Sequence, residues 1–164
     1  MEKKSVKEHV RNVSRSDVGE ENKTVKKSDN KSDKYFYGVG RRKTAVAQVR
    51  VYKKEKAGDN DLIVNEKKMR DYFSLASLQN IFLASLKISG LQNKVKISVL
   101  VRGGGTNSQA EACRLGISRA LIVMDENFKH IIKAEGFLTR DARKVERKKP
   151  GLKKARRSPQ WAKR

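Results

Sequence analysis

Hydrophobic and polar positions alternate most regularly at two places along the chain. From Thr44 to Tyr52 the odd positions are Ala45, Ala47, Val49 and Val51, and the even ones include Thr44, Gln48 and Arg50. From Val95 to Arg102 the odd positions are Val95, Ile97, Val99 and Val101, while Lys94, Lys96 and Arg102 share the opposite side with Ser98 and Leu100. A period of two is that of a strand with one buried face. Gly58-Asp59-Asn60 is turn chemistry, and Leu62-Ile63-Val64 fits a short strand after it. The stretch from Asp61 through Phe73 also reads as helical. A further helix is predicted over roughly Ser77–Ile88, with Leu78, Ile81, Phe82 and Leu86 on one side and Gly90 as its stop.

Gly103-Gly104-Gly105 ends the second alternating strand, and Ser108-Gln109-Ala110-Glu111 reads as a capping box opening a helix. Ala110, Cys113, Ile117, Leu121 and Met124 then recur at three-to-four spacing, the stripe of a helix that faces a core. Asn127–Glu135 supplies a last short helix, stopped by Gly136. The sum is an α+β domain over 35–136, helices packed on one sheet, with no internal repeat.

On either side the pattern fails. Residues 1–34 hold only Met1, Val6, Val10, Val13, Val18 and Val25 as apolar members, too few to offset the entropy of ordering, so this segment is read as a disordered extension. It has no apolar stretch of signal-peptide type, and its acidic residues do not fit an acid-poor organelle transit peptide. After Gly136, residues 137–164 scatter their apolar members among basic ones, and Pro150-Gly151 and Pro159 break any long helix. Free in water, such a tail is expected to be floppy.

Charge sharpens this division. The 164 residues carry 40 Lys and Arg against 18 Asp and Glu, a net charge of +22. Residues 1–34 are net +3, residues 35–127 net +8, and residues 128–164 net +11, so half the excess sits in the last 37 positions. Self-repulsion of that size points to a polyanionic partner, nucleic acid first. The longest apolar run, Ala120–Met124, is far short of a membrane span. A single cysteine, Cys113, excludes an internal disulfide framework, and with only His9 and His130 beside it the usual zinc ligand sets are missing. Neither histidine has an obvious catalytic partner, and His130 reads as structural or solvent-facing.

Two glycine motifs invite a nucleotide. In Gly38–Thr44 a phosphate-binding loop would need glycines where Tyr37 and Arg42 stand. The triple glycine lacks the third glycine of a dinucleotide turn, which would fall at Ser108, and no acidic residue stands ready for a ribose. Close backbone approach at a strand-to-helix junction explains these glycines more simply, and it would let the helix N-terminus meet an RNA phosphate. In the tail, spaced Lys and Arg suit phosphates, and Trp161 suits stacking on a base or packing on a sugar.

Five motifs, in order, resemble the small-subunit ribosomal protein nine family in its bacterial form. They are Tyr37-Gly38 with Gly40-Arg41-Arg42-Lys43-Thr44-Ala45, Val101–Gly105, Gly116–Leu121, Gly136–Asp141, and Val145–Arg156, with Lys163-Arg164 at the end. The resemblance covers about 35–164. It departs from the family at Ser108, where glycine is usual, at Trp161 for Phe, at Ala162 for Ser, and in the first 34 residues, which have no counterpart.

The resemblance implies a two-layer α/β fold like the second domain of small-subunit ribosomal protein five, with an extended basic C-terminal tail. It implies no catalytic activity, no cofactor or metal and no small-molecule substrate. The partners would be small-subunit rRNA in the head, neighbouring ribosomal proteins and peptidyl-site tRNA, in a cytoplasmic ribosome in preference to an organellar one. Arg41, Arg42, Lys43 and Arg102 would anchor the domain on rRNA, with Gly103, Gly104 and Gly105 beside them. Arg140, Arg143, Lys144, Arg147, Lys148, Lys149, Lys153, Lys154, Arg156 and Arg157 would line the tail's path, and Lys163 and Arg164 would approach the anticodon-loop backbone of the tRNA. A DNA-compacting protein and a basic nucleotide-handling enzyme are the competing classes. The first does not require a folded domain and tail motifs in this order, and the second lacks a phosphate loop and a catalytic constellation.

Overall fold

A computed structural model describes residues 34–162; all of the N-terminal extension except Lys34, and both Lys163 and Arg164, lie outside the described residues. Strands β1 (Tyr35–Arg42) and β2 (Ala45–Lys53) are followed by β3 (Leu62–Val64), β4 (Lys67–Lys68) and the short helix α1 (Met69–Tyr72). Then come α2 (Ala76–Ile88), β5 (Val95–Arg102), α3 (Thr106–Met124) and α4 (Phe128–Ala134). The strands form one mixed sheet in the order β1-β2-β5-β3-β4, antiparallel except where β3 runs parallel to β5.

The two alternating segments form β2 and β5, and their register sets Val49 opposite Val99 and Val51 opposite Ile97. Ala45, Ala47, Val49, Val51, Val95, Ile97, Val99 and Val101 are all buried, while Gln48, Arg50, Leu100 and Arg102 are exposed on the other face. The helices close the buried side. Phe73, Phe82, Met69, Leu86, Ile97, Ile117, Leu121 and Ile132 fill the core without appreciable exposure. Ser85 and Ser118 are fully buried among them; their hydroxyls lie 2.8 Å apart and Ser118 donates to the Arg114 carbonyl at 2.9 Å, so neither is buried unsatisfied.

Two sequence expectations fail. Asp61 through Phe73 is not a helix: Asp61 ends a single 3-10 turn, only Met69–Tyr72 is α-helical, and a tight hairpin joins β3 to β4. Asn65 and Glu66 take left-handed φ of 46° and 67°, the two-residue geometry that turns a strand back on itself. The Asn65 side chain offsets the cost by accepting from the Val101 amide at 2.8 Å and donating to the Val101 carbonyl at 2.9 Å, extending the β5 ladder past the end of β3. Nor does Ser108 open a capping box. The N-cap of α3 is Gly105 with no side-chain cap, and Ser108 lies inside the helix and is buried. Gly103 and Gly104, at φ of 73° and 66°, turn the chain early enough for the helix to start directly after them.

Strand β1 itself went unpredicted because its inward positions are Phe36, Gly38, Gly40 and Arg42, which show no apolar alternation. Here glycine is the requirement. α3 crosses β1 so closely that a methyl group on Gly40 would clash severely with the Ala112 carbonyl oxygen, and one on Gly38 would sit 2.8 Å from the Ala120 amide nitrogen. From the helix side, a methyl on Gly116 would lie 2.6 Å from a Val49 methyl. Arg119 also donates to the Val39 carbonyl at 2.7 Å, which engages a backbone acceptor of this edge strand.

Gly40→Ala is therefore expected to destabilise the domain by about 3 kcal/mol or more, because backbone must move where a flexible side chain would give way cheaply. Gly58→Ala, with nothing within 4 Å of the added methyl, is expected to stay near the parent. Urea denaturation of both variants checks the difference, and equal midpoints would contradict it.

Candidate nucleic-acid interface

The basic residues at the end of β1 and at the end of β5 meet at one end of the sheet. Arg41 pairs across to Val46, and Val46 pairs on to Arg102, so both exposed arginines flank one residue on the outward face. Lys43 tops the turn between β1 and β2, exposed and at a left-handed φ of 50°. Gly103 and Gly104 lie against that turn: a methyl on Gly103 would be 2.6 Å from the Thr44 carbonyl oxygen, and one on Gly104 would be 3.0 Å from the Ala45 side chain. Gly105 is open to solvent beside them, at the start of α3.

Arg42 does not join this group. Strand alternation turns it inward, and it is only 9% exposed. Its Nε donates to Glu111 on α3, a second guanidinium nitrogen lies 3.0 Å from Asp141, and Nη1 donates to the Arg143 carbonyl at 2.8 Å. Each of its three nitrogens is thus engaged inside the protein, and little of the side chain is open to solvent. The sequence grouped it with Arg41 and Lys43 by adjacency, but neighbours on a strand face opposite ways.

What Arg42 holds is the root of the tail. Arg143 folds back on Asp141 with contacts of 2.7 to 3.1 Å from its guanidinium and a 2.9 Å bond from its amide. These hydrogen bonds hold the Asp141 carboxyl well below the usual carboxylate range, and they raise the Arg143 guanidinium in turn. Just before this knot, Phe137 and Leu138 pack against the core, and the Arg114 guanidinium lies 4.5 Å from the Phe137 ring centroid. The sequence shows no sign of this cation–π contact, because Arg114 sits among the polar positions of a helix and Phe137 follows a stop glycine.

Beyond the knot the chain has no regular secondary structure up to the turn at Pro150-Gly151. Arg140, Arg143, Lys144, Arg147, Lys148, Lys149, Lys153, Lys154, Arg156 and Arg157 are all exposed. Glu146 pairs with Lys149 at 2.9 Å and with Arg156 at 2.8 Å, and the Lys153 amide donates to the Arg157 carbonyl at 2.8 Å. Trp161 is 88% exposed, a large apolar surface left open by the described residues. A string of cations, solvated and rooted next to Arg41, Lys43 and Arg102, can neutralise phosphates, contacts that position without reading sequence.

The comparisons agree with this chemistry. A family profile described as ribosomal protein S9/S16 matches residues 40–164. Over 133 residues the chain is 47% identical to the small ribosomal subunit protein uS9 of Desulfovibrio desulfuricans, a match covering 81% of this chain and 99% of that protein. The chain belongs to the ribosomal protein S9/S16 family. A ribonucleoprotein role in translation, with rRNA binding, follows from membership. The matched span begins at Gly40 and takes in the strand end, the triple glycine, α3 and the whole tail.

Cys113 stands apart from this chemistry. It is buried in α3, and burial pushes its thiol up to about 12, so it carries no reactive thiolate near neutrality. A thiol reagent at pH 8 is expected to label Cys113 only after denaturation, as mass spectrometry would show; rapid labelling of the native protein would contradict its burial. The Asp141 knot predicts a pH dependence. A carboxyl held low in the fold contributes above its ordinary value of about 4 and loses that contribution as the pH falls toward the folded value. Protection factors at Arg140–Lys144, taken against the intrinsic exchange rate at each pH, are thus expected to fall below about pH 4, and Arg42→Met should produce the same loss of protection at pH 7. Unchanged protection in Arg42→Met would show that this arginine does not hold the root.

Proposed function

We propose that the chain is a non-catalytic structural constituent of the small ribosomal subunit, bound to rRNA in the subunit head, with a tail that reaches the peptidyl site of a cytoplasmic ribosome. The observation that carries this reading is the pairing of two features: exposed cations at one end of the sheet, and a cationic tail whose root is fastened at that same end. On this reading the single sheet with helices packed on it is the two-layer arrangement of the second domain of small-subunit ribosomal protein five. Neighbouring ribosomal proteins of the head would be its other contacts.

Arg41, Lys43 and Arg102 would seat the domain on phosphates, with Gly103, Gly104 and Gly105 keeping side chains out of the way. The tail's arginines and lysines would then follow a crevice in the RNA. Arginine suits this work because its planar fork takes phosphate oxygens in pairs and stacks on base planes. Specificity would come from RNA shape, since phosphate contacts position without reading sequence. Lys163 and Arg164 would lie at the anticodon-loop backbone of the tRNA, where Ala162 cannot supply a hydroxyl contact.

Removal of residues 161–164 tests the far end of this reading. Subunits carrying the shortened chain are expected to assemble normally and to release peptidyl-site tRNA faster, read by filter binding at low and high magnesium. Normal tRNA retention at both would refute the tRNA contact. For the RNA-bound role as a whole, co-sedimentation of the full chain with the small subunit at moderate salt is the expected outcome. Recovery with nucleoid DNA would favour a DNA-compacting protein.

A further inference from the structure

The helices cover one face of the sheet, and the other face, at the end away from the Arg41–Arg102 cluster, has a composition that the tail and the basic turn do not explain. Here Tyr35 pairs across to Tyr52 and Tyr52 to Lys96; on the next outward rung Tyr37 pairs to Arg50 and Arg50 to Ser98. Tyr35 and Tyr37 are 49% and 45% exposed. The Tyr35 and Tyr52 rings stand 5.9 Å apart, with Arg50 5.4 Å from the centroid of the first and Lys96 5.8 Å from that of the second. Beside them opens a cleft of about 660 Å³ lined by Lys34, Phe36, Tyr52, Lys53, Lys54 and Lys96. Its walls are lysines and aromatic rings, and Lys53 lies 5.6 Å from the Phe36 ring centroid. Lys54 is engaged by Asp61 at 2.8 and 2.9 Å, which leaves the other lysines to face the opening.

No outward position of β1, β2 or β5 is acidic. A sheet face that merely meets water ordinarily mixes both signs of charge and carries few large rings. A protein-docking face would centre on an apolar cluster depleted of lysine. Cations interleaved with exposed flat rings instead match what single-stranded nucleic acid offers, phosphates for the cations and bases for the rings.

We infer that the outward face of the sheet is a second RNA-binding surface, on which a single-stranded RNA segment stacks its bases on Tyr35, Tyr37 and Tyr52 and lays its phosphates on Arg50, Lys53 and Lys96. It shares with the ribosomal reading only the class of partner. The basic turn and the tail grip phosphates alone, whereas this face adds base stacking, which salt screens less than it screens phosphate contacts.

The test uses the full chain and a fluorescein-labelled ten-nucleotide oligouridylate, with affinity measured by anisotropy from 0.1 to 0.4 M salt. Tyr37→Leu with Tyr52→Leu, strand-compatible changes checked by circular dichroism, is expected to weaken binding about ten-fold or more at the highest salt. Arg50→Gln with Lys96→Gln should lower the slope of log affinity against log salt by about 1.4, two single-strand contacts. Photocrosslinking with 4-thiouridine in the same oligonucleotide should mark peptides carrying Tyr35, Tyr37 or Tyr52. Parent-like affinity in both double variants, or crosslinks confined to residues 137–164, would overturn the assignment. So would a benzophenone amino acid in place of Tyr37 that couples, in purified small subunits, to a neighbouring protein and not to RNA. A chain that binds oligouridylate as expected but sediments away from the small subunit would defeat the ribosomal reading while leaving this one standing.

Discussion

The contact between α3 and β1 is the constraint on which the remaining geometry rests. Three glycines remove the side chains that would hold helix and strand apart, and the backbones then touch directly at Gly38, Gly40 and Gly116. Interiors pack at crystal density, so a contact this close tolerates no slack. It has two consequences for the site. It brings Glu111, near the start of α3, over Arg42 at the end of β1, and it sets the Arg114 side of the helix where Phe137 can lie under it. The tail root is fastened by groups that this contact positions.

A chain with so large a positive excess has few acids, and where it places them is informative. Glu111 and Asp141 meet Arg42, whose side chain is only 11% exposed. Removing one partner of such a cluster leaves a poorly solvated charge, so the knot is expensive to open. Glu146 pairs farther out with Lys149 and Arg156, whose side chains are 53% and 84% exposed. Exposed pairs of that kind contribute at most about 1 kcal/mol each. Phosphate can therefore displace Glu146 from its cations at little cost, while Arg42 is far less accessible. The same residue types build a fixed root and an exchangeable tail, and burial makes the difference.

What the sequence showed followed from periodicity. Strands β2 and β5 and the core stripe of α3 were legible because their inward positions are apolar at the spacing each element dictates. Strand β1 was not, since glycine and arginine occupy its inward positions and only the partner helix explains them. The helical reading of 61–73 failed because a tight turn interrupts it at Asn65, a residue type that accepts a left-handed φ. Ser108 and Glu111 match a capping box by spacing alone, and the glycines before them moved the helix start. Cations at the sheet end and along the tail were legible as charge runs, and the structure leaves most of them exposed. The inward turn of Arg42 is hidden in sequence because a run of basic residues masks strand alternation, and no motif joins Tyr35, Tyr37 and Tyr52 until strand register does.

A folded domain and a cationic tail in one chain do together what neither does alone. A free basic peptide loses its conformational entropy at the moment it binds, and its affinity is discounted by that cost. With the domain seated on RNA as proposed, the tail's encounter with RNA would become intramolecular, at an effective concentration set by the chain between them. That gain is largest when the connecting segment is short and aimed. Packing of Phe137 and Leu138 and the Arg42 knot make it so, because the free length begins only after Arg143. A flexible linker of equal charge would lose the aim, and a rigid helix would lose the ability to follow a crevice. The chain uses a fixed root and an irregular, weakly paired remainder, the arrangement that keeps direction and compliance at once.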